Sequence, residues 1–231
     1  MISESSYWKD ELYKNYQTLV RFINLKRRDE RSFIKAEKAI MMSAYIIRKL
    51  NEAEKIPPDF LKDSICLSEY SAINMHIDKF NSHHIDRNYN LSESKKHNDK
   101  IEFFIDQIIH SFVFFFIIDE GNNDFSILFN SDKTKKDSLF EISFEKIFEI
   151  ILRISEGNIS ESHICFDEKR GERKLTKAKY SYPKDFDLKK IVRKSLRGKI
   201  YKRDKNVEFD MPIVSLKQIE DMQNGKDIEL C

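Results

Sequence analysis

The sequence DKIEFFIDQIIHSFVFFFIIDEGNNDFSILFNSDKTKKDSLFEISFEKIFEIILRIS, residues 99–155, decides the fold of this 231-residue chain. Its first part has apolar residues at helical spacing, which predicts a helix over about residues 99–111. Three short apolar runs follow, at about residues 112–119, 125–131 and 138–143. Turn-forming residues separate these runs, so we predict a three-stranded antiparallel meander and then a helix over about residues 144–155. The alternative is one helix that continues to Ile118, because a Phe-rich run fits both the 3.6-residue period of a helix and the two-residue period of a strand.

Two amphipathic segments precede this stretch. Apolar residues recur every three or four positions from Trp8 to Ile23, and again from about Ser32 to Glu54. Each segment therefore has one apolar face, as a helix packed on a core requires. The charged sequence KRRDER at residues 26–31 separates the two, and Pro57-Pro58 ends the second. We predict an N-terminal helical hairpin.

The segment between the second helix and residue 99 has a weaker pattern. Ile65 and Leu67 predict a short strand, and residues 71–80 predict a short helix. The polar sequence at residues 81–99 is rich in turn-forming residues, so we interpret it as a long surface loop.

Charge is distributed unevenly along the chain. Residues 169–205 contain sixteen Lys and Arg but four acidic residues, which gives this segment a net charge of +12. The whole chain has a formal net charge of only +2, so the other 194 residues sum to −10. A separation of this kind produces a field that attracts polyanions.

The basic segment has a predicted structure of its own. A turn at residues 168–173 joins two runs typical of strands, about 164–168 and 174–180, which indicates a hairpin. Asp185 or Asp187 can then cap a helix that runs to about Tyr201. In total, the sequence predicts an α+β protein. We divide it into an α+β core at residues 1–158, the basic hairpin and helix at residues 159–205, and an acidic tail at residues 206–231.

Nucleic acid is the partner that the basic segment predicts best. Its cations lie on a hairpin and a helix, and Tyr180, Tyr182 and Tyr201 stand among them as candidate platforms for base stacking. The candidate contact residues are Arg170, Arg173, Lys174, Lys189, Lys190, Arg193, Lys194, Arg197 and Tyr201. RNA and DNA both fit. The alternatives are an acidic protein docked by a non-enzymatic interaction subunit, and a solvated surface that the chain's own acids neutralise.

Three polar residues on the helix before the meander are candidates for catalysis. Glu102, Asp106 and His110 follow one another at intervals of four, opposite the apolar stripe of that helix. A carboxylate one turn from an imidazole can orient it as a general base. The competing interpretation is a solvated face on which Asp106 and His110 form an ordinary helix pair, so the sequence leaves enzymatic activity open. We expect His110 to fix the junction between this helix and the first strand by a hydrogen bond to Asp106 or to backbone.

A second group of polar residues lies in the poorly patterned segment. His76, Asp78, His83, His84 and Asp86 fall within eleven residues, and mixed His and Asp ligands suit zinc or manganese. Their spacing matches no recognised ligand pattern, however. We therefore interpret them as a polar loop and predict neither a metal nor a cofactor.

The cysteines and the apolar runs bear on location. Cys66, Cys165 and Cys231 are far apart and form no CxxC pair, which favours reduced thiols and a cytoplasmic protein. The polar N-terminal sequence has no apolar signal region. The longest apolar run, residues 108–118, is about half as long as a membrane helix. We expect no membrane partner, and oligomer formation stays open.

Four sequences carry a resemblance to known proteins. They are AYIIRKLNEAEKI at residues 44–56, NMHIDKF at 74–80, FFIDQIIHSFVFFF at 103–116 and FNSDKTKKDSLFEISFEKI at 129–147. Together, over about residues 36–155, they resemble a widespread family of uncharacterised bacterial proteins. In that family an Arg-Lys-Leu helix precedes an Ile-His-Ser-Phe-Val-Phe segment and a Ser-Asp strand end.

A helix with a polar His also resembles, in part, the HEPN-type ribonucleases of bacterial defence and toxin systems. Those enzymes place an Arg a few residues before the His, and no Arg lies four to six residues before His110. No catalytic role is therefore carried over. We expect a bacterial protein that binds nucleic acid in a defence or mobile-element system, with an HEPN-like or metal-dependent nuclease as a second alternative.

Overall fold

The computed structural model describes residues 2, 4–119, 124–169 and 171–203, and the backbone of residues 228–230. The helices are α1 Ser6–Ile23, α2 Glu30–Glu52, α3 Ile85–Asn88, α4 Ile101–Ile109, α5 Phe144–Glu156 and α6 Leu188–Leu196, with a 3-10 turn at Phe60–Lys62. The strands are β1 Ser64–Ser71, β2 Lys95–Lys100, β3 Ser111–Asp119, β4 Asp124–Ser131, β5 Ser138–Ser143, β6 Asn158–Asp167, β7 Glu172–Ser181 and β8 Ile228–Leu230. The predicted α+β class is confirmed.

A five-stranded antiparallel sheet lies at the centre of the fold, in the order β2-β1-β5-β4-β3. The predicted meander is confirmed as β3, β4 and β5, and the alternative of one helix to Ile118 is wrong. Helix α4 ends at Ile109, and His110 is its C-terminal cap. Strand β3 begins at the next residue, Ser111.

The segment before α4 differs from its prediction. The predicted helix at residues 71–80 is wrong, because side chains there bond to nearby backbone and favour turns over a helix. Asn74 Oδ1 accepts from the His76 amide at 2.9 Å, and Asp78 Oδ1 accepts from the Phe80 amide at 2.8 Å. The predicted loop at residues 81–99 contains α3 and most of β2, which pairs with β1 through its backbone.

The helical hairpin is confirmed and covers one face of the sheet. Leu12, Tyr16 and Leu19 of α1 are fully buried, and the Tyr16 ring meets Phe148 of α5 edge-on, with 5.5 Å between ring centres. Asp29 caps α2 by accepting from the Ser32 amide at 2.8 Å, so this helix begins two residues before its predicted start.

The basic segment forms its predicted hairpin and helix, with different limits. Strands β6 and β7 are longer than predicted, and β8 pairs with the other edge of β6. Asp187 caps α6, accepting from the Lys190 amide at 3.0 Å. The helix ends at Leu196 and not near Tyr201, because Gly198 takes a left-handed conformation with φ +74°.

The chain reverses direction at Gly198. Its amide bonds to the Ser195 carbonyl at 2.8 Å, and the Lys199 amide bonds to the Lys194 carbonyl at 3.0 Å, the two bonds of a Schellman motif. Residues 199–203, the return segment, then run back along α1. Along this path the Tyr201 amide donates to the Tyr16 hydroxyl at 3.1 Å.

Apart from the backbone of β8, the predicted acidic tail at residues 206–231 lies outside the described residues, as do the glycine and asparagines of the predicted β3–β4 turn. In the part of the chain that is described, no helix combines the length and the apolar character needed to cross a membrane.

Candidate nucleic-acid interface

Helix α6 separates its basic residues from its apolar ones. At 100° per residue, five cations fall within an arc of about 140° and the apolar residues fall on the opposite side. The cations are Lys189, Lys190, Arg193, Lys194 and Arg197, and all five are exposed. Nine helical residues rise about 13 Å, so these charges are dense. The sequence pattern thus produces a basic face, and the fold turns it outward.

The opposite side of α6 is fixed to the N-terminal helices. Ile191 and Val192 are buried in the same hydrophobic core as α1 and α5. Ser195 is fully buried, with its hydroxyl 2.6 Å from the Tyr16 hydroxyl and 2.8 Å from the Ile191 carbonyl. The basic face therefore has one orientation relative to the core.

The five α6 cations have no partner within the described part of the chain: none of their side chains makes an ion pair or a hydrogen bond there. Other cations of the protein are neutralised. Arg203 pairs with Asp10 and, at 2.9 Å, with the buried carboxylate of Glu156. Arg153 pairs with Asp63 at 2.7 Å. Within the described residues, the charge of α6 is thus not neutralised as these charges are.

Two concavities flank the basic face. The first, about 260 Å³, is a groove between α6 and the return segment, with Ile191, Ile200 and Tyr201 among its lining residues. Its cations are Lys190, Lys194, Lys199 and Lys202, and its acids are Asp185 and Asp187. The second is a hollow of about 500 Å³ lined by all five α6 cations and Asp187.

Sequence reasoning missed Lys199 and Lys202 because only the chain reversal at Gly198 brings them back beside α6.

The hairpin contributes a second set of cations. One extra residue of β7, Thr176, lies between the pairs Ile164–Leu175 and His163–Lys177, so it forms a β-bulge. The bulge shifts by one residue the alternation of side chains between the two faces of β7. Lys174, Lys177 and Lys179 therefore lie on the face opposite buried Leu175. Arg173 lies on the Leu175 side and is exposed, and Arg170 lies outside the described residues. Two predicted contacts, Arg173 and Lys174, thus lie on opposite faces of the strand.

The tyrosines of the basic segment are not free platforms. The Tyr201 ring is half-buried and packs edge-on against Tyr13 and Phe186, with ring centres 6.5 and 6.1 Å apart. The Tyr182 ring stacks on Phe186, with ring centres 4.9 Å apart. Tyr180 lies beside Gly157, and burial raises the pKa of its hydroxyl. Tyr182 keeps 37% of its surface exposed, so the expectation that these rings are open to bases is corrected only for Tyr180 and Tyr201.

The catalytic candidates lie on the protein surface, and one of them pairs with a charged group of α2. Glu102, Asp106 and His110 are all exposed at or near α4. The Asp106 carboxylate pairs with Arg48 of α2 at 3.4 Å, and Arg48 also bonds Glu52 at 3.1 Å. Within the described residues, no side chain bonds the His110 ring.

The second polar group is arranged as a turn. Asp78 Oδ1 accepts from the Phe80 and Asn81 amides, and the rings of His83 and His84 lie 3.9 Å apart. Within the described residues, no three His, Cys, Asp or Glu side chains are placed to hold one metal ion.

The chain was compared with known proteins in three ways. No family model, no curated protein and no solved structure matches it. The resemblance to bacterial proteins over residues 36–155 stays a prediction.

Proposed function

We propose that this protein binds RNA or DNA through the basic face of α6 and the groove beside it. One observation supports this above the others: five exposed cations share one face of a firmly packed helix, and none is neutralised within the described residues. A cationic surface that serves only solubility does not need such a concentration of unpaired charge. A polyanion that releases its counterions on contact benefits from it directly.

The chemistry of this binding is phosphate neutralisation. Lysine and arginine side chains on α6 take the place of the counterions that surround a nucleic acid, so affinity falls as salt concentration rises. Such contacts position the partner but carry no direct sequence information. Affinity should therefore depend strongly on salt and weakly on base sequence.

Binding of labelled RNA, single-stranded DNA and duplex DNA across a salt series tests the proposal. The test variant reverses four α6 cations: Lys189→Glu, Lys190→Glu, Arg193→Glu and Lys194→Glu. The matched control makes the same charge change on other surfaces: Lys38→Glu, Lys79→Glu, Lys96→Glu and Lys136→Glu. All eight side chains are exposed, so both variants should stay folded.

The expected result is loss of binding in the α6 variant and a much smaller effect in the control. The slope of log K against log salt is negative, and each lost phosphate contact should reduce its magnitude by about 0.9 for B-form DNA. Absence of binding by the parent protein to all three probes at about 50 mM salt would overturn the proposal. Equal losses in the two variants would overturn the role of α6.

A second candidate function is that of an interaction subunit, and one observation favours it. The loop between β1 and α3 exposes three large apolar side chains: Ile73, Met75 and Phe80, at 60%, 79% and 90%. Exposed apolar groups that cluster together are typical of protein contacts. If this function is correct, Met75→Ser with Phe80→Ser should abolish co-purification of an acidic partner. The α6 reversal should also abolish it if the basic face docks the same partner.

A further inference from the structure

We propose that the nucleic-acid contact continues from α6 across Gly198 onto the turn between α1 and α2, and that the partner is double-helical and held by its phosphates. This inference rests on the proposed function and extends it. It names a second contact surface outside the +12 segment, and it names the form of nucleic acid that suits the two surfaces together.

The C-terminal end of α6 touches the C-terminal end of α1. Gly198, which follows the last cation of α6, lies against the Asn24 side chain so closely that a Cβ atom at Gly198 would overlap it. Asn24 is the C-terminal cap of α1 and begins the charged turn. The C-terminal end of α6 therefore abuts the α1–α2 turn, and the basic face of α6 has a direct neighbour there.

The cations at the α1–α2 turn differ in whether other residues of the protein bind them. Arg28 is used internally: its guanidinium donates to the carbonyls of Phe22 and Ile23 at 3.2 and 2.9 Å, at the C-terminal end of α1. Cations at this end of a helix are stabilising. The cations around it have a different environment. Arg21, Lys26, Arg27, Arg31 and Lys35 are exposed, and the described residues provide none of them with an ion pair.

Three of these cations surround a concavity. Arg21, Arg31 and Lys35 line a hollow of about 390 Å³ between the end of α1 and the start of α2, together with the side chains of Thr18 and Ser32. The carboxylate of Asp29, which also lines it, is already bound to the Ser32 amide as the helix cap, and this bond lowers its pKa. The turn thus has the same properties as the α6 face: unpaired cations around a hollow.

The packing of the tyrosine rings bears on whether the partner is single-stranded or double-stranded. Proteins that bind single strands combine a basic groove with aromatic rings on which bases stack. In the basic segment that the structure describes, the rings of Tyr180, Tyr182 and Tyr201 are packed against other residues. Tyr182 keeps 37% of its surface exposed, but its ring is stacked on Phe186. Two adjacent basic surfaces whose tyrosine rings are packed on neighbouring rings suit a rigid duplex, whose phosphates follow one another along two strands at fixed spacing.

The test uses fluorescence anisotropy with a labelled DNA duplex, an RNA duplex and a single strand of the same length and sequence. The turn variant is Lys26→Gln, Arg27→Gln and Arg31→Gln. The matched control is Lys38→Gln, Lys79→Gln and Lys96→Gln, which removes the same charge elsewhere. We expect the parent to bind both duplexes more tightly than the single strand. For duplex binding, we also expect the turn variant to reduce the magnitude of the slope of log K against log salt by about 2 to 3. The control should leave this slope unchanged.

The outcomes separate this inference from the proposed function. If the α6 reversal abolishes binding and the turn variant has the parental salt slope, the proposed function survives and the extension is overturned. If the single strand binds as tightly as the duplexes, the double-helical partner is overturned. If the parent binds none of the probes, both proposals fall.

Discussion

The Tyr16 hydroxyl lies 2.6 Å from the Ser195 hydroxyl, and both side chains are fully buried. This pair joins α1 to α6. The same tyrosine oxygen also accepts from the Tyr201 amide at 3.1 Å, so one buried atom holds both α6 and the return segment. The orientation of the basic face therefore depends on a residue nearly 180 positions earlier in the chain.

Tyr16→Phe should destabilise the protein while leaving its surface charge unchanged. Removing the hydroxyl leaves the Tyr201 amide without its acceptor and removes one partner of Ser195, which should cost about 1–3 kcal/mol. Urea unfolding measures this loss. Tyr7→Phe is the control, since Tyr7 is 76% exposed on the same helix and should change little. Equal stability of the two variants would show that the buried pair does not hold α6.

Gly198→Ala should disturb the reversal after α6. A residue with a Cβ atom costs about 1–2 kcal/mol in the left-handed conformation, and here the Cβ would also displace the Asn24 side chain. We expect a lower melting temperature. Adding Asn24→Ala to Gly198→Ala should recover the part of the loss that comes from overlap with the Asn24 Cγ and Oδ1 atoms, but not the part from φ or from the Cβ atom at position 24. Full recovery, or none, would contradict this division of the cost.

The free energy of unfolding should pass through a maximum near pH 10. Burial lowers the pKa of Lys9 from 10.5 to about 8, so between these values the unfolded chain holds a proton that the folded protein has released. Stability then rises with pH. Burial raises the pKa of Tyr70 and of Tyr201 from 10.0 to about 12. Above pH 10 the folded state holds more protons than the unfolded chain, and stability falls.

Urea unfolding between pH 7 and pH 11 measures this profile. Lys9→Met should remove the rise between about pH 8 and pH 10 and keep the fall above it. A rise of the same size in Lys9→Met would show that another group is responsible.

His110→Asn should have little effect on stability. The sequence predicts that His110 fixes the junction between α4 and β3 through a hydrogen bond. The structure corrects this, because the ring is exposed and Asp106 pairs with Arg48. A change of less than about 0.5 kcal/mol is expected. His97→Asn is the contrast, since the His97 nitrogens lie 3.2 Å from Glu69 and 3.3 Å from Asp99, and its loss should cost more.

The same variant tests the catalytic alternative. The parent protein is incubated with RNA and DNA in the presence of Mg²⁺, Mn²⁺ or Zn²⁺. Turnover by the parent that His110→Asn abolishes at unchanged stability would support a nuclease and contradict a purely binding function. Turnover that survives the substitution would exclude His110 from catalysis.

Elements with one apolar face were predictable from the sequence. The spacing in α1 and α5, and the apolar runs of β3 to β5, report burial directly because a buried face must repeat with the period of its element. Strand β2, with the sequence KKHNDK, lacks such a pattern. It pairs with β1 at the edge of the sheet, and its backbone forms the ladder whatever its side chains are. Periodicity therefore could not reveal it.

The candidate site likewise has one part that the sequence predicts and another that it does not. The basic arc of α6 could be read from the positions of its lysines and arginines, because they are local to one helix. The positions of Tyr201 and Lys199 could not, since both depend on the reversal at Gly198 and on contacts with α1. The neighbouring charges of Lys26 and Arg27 were visible, but only the contact of Gly198 with Asn24 connects them to α6.

The two outer strands of the five-stranded sheet differ in composition, and the difference bears on aggregation. Strand β2 has lysines at positions 95, 96 and 100, and another chain that paired with it would have to desolvate them. Strand β3 has no charged residue from Phe112 to Ile118, and in the described residues no strand lies beyond it. A partly unfolded molecule would thus present β3 as a template for a second chain. Substitutions that loosen α1 or α2 should therefore be seen first as self-association at high protein concentration.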